Sequence, residues 1–137
     1  MAVHDGDTLT ILDGHRQQHR VRLSGVDAPE GGQPFGKAAC SALVKIAKGK
    51  QAKVQCHTND RYRREVCIVT IGGVDAGKRQ VERGLSWVFT RYAPTLPATA
   101  LASYQVGDGT ARAVRIGLWA DDAPAAPWVW RTSGEAY

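Results

Sequence analysis

Asp5, Asp7, Arg22, Asp27, Glu30 and Arg64 are the residues of this chain whose types and spacing could do chemistry together. "HDGDT" sets Asp5 and Asp7 one residue apart, and "VRLSGVDAPE" sets Arg22 on a candidate strand with Asp27 and Glu30 around Pro29. "DRYRR" gathers Arg61, Arg63 and Arg64 around Tyr62. A hard divalent cation such as calcium takes several oxygens from carboxylates, backbone carbonyls and water. Asp7 and Asp27, from different strands, plus one carbonyl would hold such an ion loosely and leave positions for water and a phosphate oxygen. Glu30, free of the ion, could orient or deprotonate the attacking water. The fixed donor forks of Arg22 and Arg64 suit a phosphate on which charge builds up. Taken singly, each cluster has an ordinary reading: a turn whose aspartates bond their own backbone, a loop leading to a helix, a solvated basic loop. Their combination in this order points to metal-assisted phosphate chemistry.

The elements that must position these side chains can be read from periodicity. "DTLTIL" and "HRVRLSGV" alternate apolar and polar residues, with Asp13-Gly14 as a hairpin-turn signal between them. The period then changes: Phe35, Ala39, Ala42, Leu43 and Ile46 recur at helical spacing, Pro34 suits the entrance and Gly49 the C-terminal cap. "QAKVQCH" and "EVCIVTIGG" read as strands joined by "TNDRYRR", and Asp75 as the cap of a short helix ending at Gly84. "ATALASYQVGDGTARAVRIGLWA" is helical in spacing, although Gly107 and Gly109 each weaken it by about 1 kcal/mol relative to Ala. The proline-rich tail from about residue 121 predicts an extended arm that packs Trp128 and Trp130. Short strands interrupted by helices fit an α+β domain, a closed five-stranded barrel of OB-fold type with three α-helices. The 137 residues read as one domain.

Composition narrows the function classes. An apolar fraction of 43% and a charged fraction of 23% suit a globular chain, and no apolar run approaches the roughly 20 residues of a membrane span. The formal charge of +5 suits a polyanionic partner such as nucleic acid, and Lys45, Lys48, Lys50 and Lys53 could extend a positive track. Three cysteines make no disulfide framework and no pair has zinc spacing; Cys56 and Cys67 could face each other, but three free thiols are the expectation. No signal peptide is visible, and the expected setting is secreted or periplasmic with the signal removed.

In order along residues 3 to 131, "DGDT", "VRLSGVDAPE", "QPFGKAA", "DRYRR", "GLSWV" and "GLWADDAPAAPWVWR" resemble the staphylococcal (thermonuclease, micrococcal) nuclease family. The resemblance implies an OB-fold barrel and a calcium-dependent nuclease that cleaves DNA and RNA with low sequence specificity and leaves 3′-phosphate ends. It implies one Ca2+ per chain, held by Asp7, Asp27 and the backbone carbonyl of Ala28, with Asp5 standing behind the ion. It assigns Glu30 to the water, Arg22 and Arg64 to the phosphate, and Arg61, Tyr62 and Tyr92 to the bound nucleotide. A monomer is expected.

Departures from the family pattern are visible too. Arg63 and Glu65 flank Arg64 where small residues are common, so the turn could differ and Glu65 could pair with an arginine. Thr90 replaces an aromatic, and only Gly31, Gly32 and Gln33 separate Glu30 from Pro34. The alternative from another class is a non-catalytic OB-fold module that binds nucleic acid; modules of that kind lack these carboxylates or arginines. A metal-free domain that stacks single strands is disfavoured, because Trp87, Phe89 and Tyr92 cluster late instead of across the strands.

Overall fold

A computed structural model describes residues 1–89 and 96–135. Strands β1 (Ala2–Asp5) and β2 (Thr8–Leu12) meet at Gly6-Asp7, and β3 (Gln18–Leu23) follows a turn at Asp13. There Asp13 Oδ1 accepts the backbone N–H groups of His15 and Gln17 at 2.8 and 3.0 Å, so the side chain supplies the turn's hydrogen bonds. After the short β4 (Val26–Asp27) come α1 (Gly36–Ala47), β5 (Ala52–Asn59), β6 (Glu65–Ile71) and β7 (Val74–Asp75). The chain continues through α2 (Ala76–Glu82), β8 (Trp87–Val88), α3 (Ala98–Val114), a 3₁₀ turn (Gly117–Ala120) and α4 (Pro127–Glu135).

The larger sheet runs β1-β2-β3-β6-β5, with β7 on β6, and β4 pairs separately with β8. β3 lies parallel to β6, whereas the other described pairings are antiparallel. Thr8 stands opposite Arg22, and Arg22 pairs with Val66, so three strands bring Asp7, Arg22 and the end of the 60–64 loop to one end of the sheet. Leu9, Val21, Leu23, Val26, Leu43, Val69, Ile71, Val81 and Tyr104 form the buried core beneath it. The expected helical face of α1 is buried at Ala39, Ala42, Leu43 and Ile46. Asp75 caps α2 by accepting from the Lys78 N–H at 3.1 Å, and it also accepts from the Tyr104 hydroxyl at 2.8 Å.

Four expectations need correction. The fold is α+β, but the sheet holds six strands and, among the described residues, no pairing joins β1 to β5 into a closed five-stranded barrel. β5 is exposed at every residue from Lys53 to Thr58, so it offers no apolar inner face on which to close. Among the described residues there are four α-helices, not three, because the tail is not an extended arm: it turns into α4. Proline at a first helical position forfeits only an N–H that would be unpaired anyway, and Pro127 starts the helix there. Phe35, placed on the helix face by its spacing, instead precedes α1 in the left-handed region at φ 69° and is 37% exposed. Cys56 and Cys67 are not free thiols; they are direct cross-strand partners in the β5–β6 register and form a disulfide, while Cys40 is free.

Candidate active site

Each acid of the site is fixed by a different local device. Asp7 follows Gly6, and a Cβ on that glycine would lie 2.5 Å from the Ala39 Cβ and 2.8 Å from the Ala28 Cβ. Only glycine lets the turn between β1 and β2 approach α1 and the Ala28 side chain this closely. Gln80 of α2, fully buried, locks the contact by donating to the Gly6 and Ala39 carbonyls at 3.0 and 2.8 Å. Asp27 sits on β4 at 1% exposure, and Pro29 behind it is fully buried. Glu30 is held from its backbone. Its N–H donates to Gln33 Oε1 at 3.0 Å, its carbonyl accepts from the Gln33 N–H at 2.9 Å, and that carbonyl fills the space a Cβ of Gly36 would need.

The side chains then converge. Asp7, 5% exposed, accepts the Ala28 N–H on Oδ2 at 2.8 Å and the Thr8 hydroxyl on Oδ1 at 2.9 Å. Arg22 Nη2 lies 3.2 Å from Asp27 Oδ1 and 3.6 Å from Asp7 Oδ2, and it also donates to the Val26 carbonyl. Arg64 enters from the far side: Nη1 donates to Thr8 Oγ1 at 3.4 Å, so Thr8 joins Arg64 to Asp7. Asp5, whose Oδ1 accepts the Asp7 N–H at 3.0 Å, is brought together with Asp7, Arg22, Asp27, Ala28 and, through Thr8, Arg64, while Glu30 is joined to Asp27 through Arg131 of α4. Arg61 and Tyr62 lie on the 60–64 loop beside Arg64, whose guanidinium stands 5.3 Å from the exposed Tyr62 ring, with that of Arg61 5.0 Å away. Tyr92 and Thr90 lie outside the described residues.

The electrostatics are those of crowded, partly buried acids. Burial and the neighbouring Asp7 push the Asp5 carboxyl up to about 7, so in mildly acidic solution Asp5 keeps its proton beside the Asp7 carboxylate. Burial would raise Asp7 as well, but Arg22, with hydrogen bonds from Asp5, Ala28 and Thr8, outweighs it and leaves Asp7 below the ordinary range. Asp27 is raised, chiefly by burial and against the pull of its arginine partners. Arg22 offsets this crowding only in part, since Asp5 and Asp27 stay raised. Two carboxylates with a backbone carbonyl are the hard-oxygen donor set a divalent cation takes, so Asp7, Asp27 and Ala28 fit such an ion. Among the described residues, the one trio of metal-binding side chains with ligand atoms within 4.8 Å of each other is Cys56, Glu65 and Cys67. Its two sulfurs are already joined to each other.

Several residues of the site escaped the sequence. Asp60, not Glu65, holds Arg64: its Oδ2 accepts from Nε at 2.7 Å, and its Oδ1 accepts the backbone N–H groups of Tyr62 and Arg64. Glu65 instead faces His19 at 3.3 Å. The turn keeps a left-handed residue even without glycine, since Arg63 has φ 64°. Arg131 of α4 was also missed. Its Nη2 lies 2.7 Å from Asp27 Oδ2, and Nη1 lies 2.5 Å from Glu30 Oε1. An Asp followed by an RYRR turn is a recognisable cap signal; nothing local marks Arg131 as a partner of acids so far back in the chain.

Residues 20–121 match the family described as staphylococcal nuclease homologue. A probable staphylococcal-like nuclease of Oryza sativa subsp. japonica is 38% identical over 115 residues, 84% of this chain and 33% of the relative. An uncharacterized endonuclease of Escherichia coli O157:H7 is 33% identical over 132 residues, covering 94% of this chain and 80% of the relative. A micrococcal nuclease of Shigella flexneri is 33% identical over 140 residues, covering 96% and 78%. The chain spans between about a fifth and a third of the length of the plant relatives and most of that of the bacterial ones.

Proposed function

Because this chain belongs to the staphylococcal nuclease family, we propose that it is a calcium-dependent nuclease that hydrolyses DNA and RNA with low sequence specificity. The observation that carries the reading is the meeting of Asp7, Arg22 and Asp27 at 3.2 to 3.6 Å, with Glu30 at the rim and Arg64 reaching in through Thr8. Asp7, Asp27 and the Ala28 carbonyl would hold one calcium ion, which when bound supplies positive charge against the phosphate oxygens. Glu30, more exposed than the two aspartates, takes a proton from water as the water oxygen bonds to phosphorus. The bond from phosphorus to the 5′ oxygen breaks in line, and that oxygen takes up a proton, leaving a 3′-phosphate and a 5′-hydroxyl. Arg22 and Arg64 donate to the non-bridging oxygens, where charge accumulates. Arg61 and Tyr62, on an exposed loop beside Arg64, would contact the bound nucleotide. Backbone recognition of this kind carries little sequence information and weakens steeply with salt. Among the described residues no helix is long and apolar enough to cross a membrane, and the protein would act as a monomer.

The test is degradation of plasmid and single-stranded DNA with calcium, with magnesium and with a chelator. Calcium-dependent degradation is expected, and it should fall by roughly 10²- to 10⁴-fold in Glu30→Gln, the usual contribution of a positioned general base. Degradation that ignores the chelator, or an undiminished Glu30→Gln protein, would exclude the mechanism. Binding of DNA without cleavage would favour the non-catalytic module.

A further inference from the structure

Arg131 belongs to the acid cluster yet has no part in the mechanism above. Its guanidinium spans both oxygens of Asp27, with Nη2 2.7 Å from Oδ2 and Nη1 3.4 Å from Oδ1, while Nη1 also meets Glu30 Oε1 at 2.5 Å. These pairs hold the Arg131 charge above its ordinary range of loss, with the Asp27 contact the larger cause. The helix that carries Arg131 is seated from its start. Ala125 accepts from Gln33 Nε2, and Gln33 is the residue that accepts the Glu30 N–H. Ala126 is buried, and the Trp128 ring packs 5.5 Å from both Trp87 and Phe89. Trp87 is the β8 partner of Asp27. The segment thus docks on the two structures that present Asp27 and Glu30, and its arginine falls between them.

Resting on the reading of Asp27 as a cation ligand, we propose that Arg131 is a further positioning residue of the active site, the resident counter-charge of Asp27 and Glu30. A divalent cation binds there only as Arg131 leaves Asp27. Both Asp27 oxygens are engaged by guanidinium groups, Oδ1 by Arg22 and Arg131 and Oδ2 by Arg131. A second positive charge a few ångströms away in a water-poor site is strongly repelled. Of the two arginines, Arg131 is the one free to move. It is 43% exposed on a rim helix, whereas Arg22 is 15% exposed on a central strand. The same departure uncovers Glu30 Oε1, so the carboxylate that must meet water is held in an ion pair until the cation arrives. Linkage makes the effect reciprocal: whatever strengthens the Arg131 contact weakens the ion, and the reverse.

The experiment is calorimetric titration of calcium alone into the full chain and its Arg131→Gln, Arg131→Lys and Asp27→Asn forms. Losing the competing charge should tighten calcium binding by roughly tenfold, within the usual 5- to 150-fold span of such couplings. Arg131→Lys, which keeps the charge, should stay nearer the parent protein. Calcium should also shift tryptophan emission in the parent, as the ion pair that steadies Trp128 is released, and shift it less in Arg131→Gln. Equal or weaker calcium binding in Arg131→Gln would overturn the inference while leaving the cation site standing. An absence of calcium binding in the parent and in Arg131→Gln, or binding undiminished in Asp27→Asn, would instead overturn the reading of Asp27 on which it rests.

Discussion

Arg22 and Arg64 are assigned the same task, yet the molecule holds them by opposite means. Arg22 belongs to a strand paired on both sides, and its partners are the site's own acids, Asp7 and Asp27. Arg64 ends an exposed loop, and its main partner, Asp60, lies on that same loop outside the acid cluster. One arginine is therefore part of what makes a buried acid cluster tolerable, while the other is an arm supported from its own base. Fold and chemistry are entangled on the sheet side and separable on the loop side.

Alanine substitution of the two arginines sharpens this contrast most. Either change should cut nuclease activity by about 10²- to 10³-fold, the usual loss for one donor to developing charge. Stability should separate them. Arg22→Ala leaves Asp7 and Asp27 buried without their shared partner and should cost about 3–5 kcal/mol in metal-free protein, whereas Arg64→Ala, which leaves Asp60 still accepting two backbone N–H groups, should cost less, about 1.5–3 kcal/mol. Urea unfolding measures both, and equal losses would erase the distinction.

Reduction of the Cys56–Cys67 disulfide probes the loop side alone. The bridge closes the hairpin that carries the 60–64 loop, with 11 residues of sequence separation. Losing it should lower stability by about 2–3 kcal/mol on the chain-entropy account. Because the bridge lies outside the acid cluster, calcium affinity should be unchanged and the KM for nucleic acid should rise. Parallel calcium titrations and steady-state kinetics of the reduced protein would reveal any spread of the effect to the sheet side.

A smaller effect is expected where helix and acid loop touch. Alanine in place of Gly36 gains about 1 kcal/mol in intrinsic helix propensity. Its methyl would nevertheless collide with the Glu30 carbonyl, and overpacking of this kind costs about 1–3 kcal/mol. Gly36→Ala should therefore come out destabilised and slower in kcat, as thermal unfolding and single-turnover rates would register. A stabilised, fully active variant would mean that the loop moves freely.

The mildest test is pH. The folded Asp5 carboxyl titrates near 7 against 3.8 for the free side chain, so the folded state binds the proton more tightly. Its contribution to stability is full below about pH 4 and is lost as pH rises through 7. Asp5→Asn should remove that decline, giving a flatter stability profile from pH 4 to 7 in chelator, read by denaturant titration at successive pH values. An unchanged slope would remove Asp5 from the shared-proton arrangement.

Much of the sheet side was legible because it is local. Asp7, Arg22, Asp27 and Glu30 lie within one short run of the chain, and alternation, Gly-Asp turns and Pro29 fix their relative placement. The buried face of α1 and the Asp75 cap were legible for the same reason. What was not legible depends on partners chosen at long range. Glu65 follows Arg64 directly, yet its side chain turns to His19 on the neighbouring strand. The Cys56–Cys67 bridge follows from the β5–β6 register, which the sequence suggests but does not fix. Arg131 meets Asp27 because α4 docks, and prolines read in isolation concealed that helix. That no pairing among the described residues closes the sheet reflects the exposure of β5, a tertiary outcome that strand propensity alone does not foresee.

The parallel pairing of β3 with β6 carries a consequence in time. An antiparallel pair can zip up from a tight turn, but Val21 reaches Glu65 only after α1 and β5 have been laid down between them. Closing so long a loop is slow and is rewarded only when most of the core is present to receive it. The two arginines therefore take up their places together and late, although during synthesis the acids and Arg22 emerge well before Arg64 does. Phosphate-cleaving competence would thus arrive as one of the last events of folding, which makes the onset of activity a direct clock for completion of the native sheet.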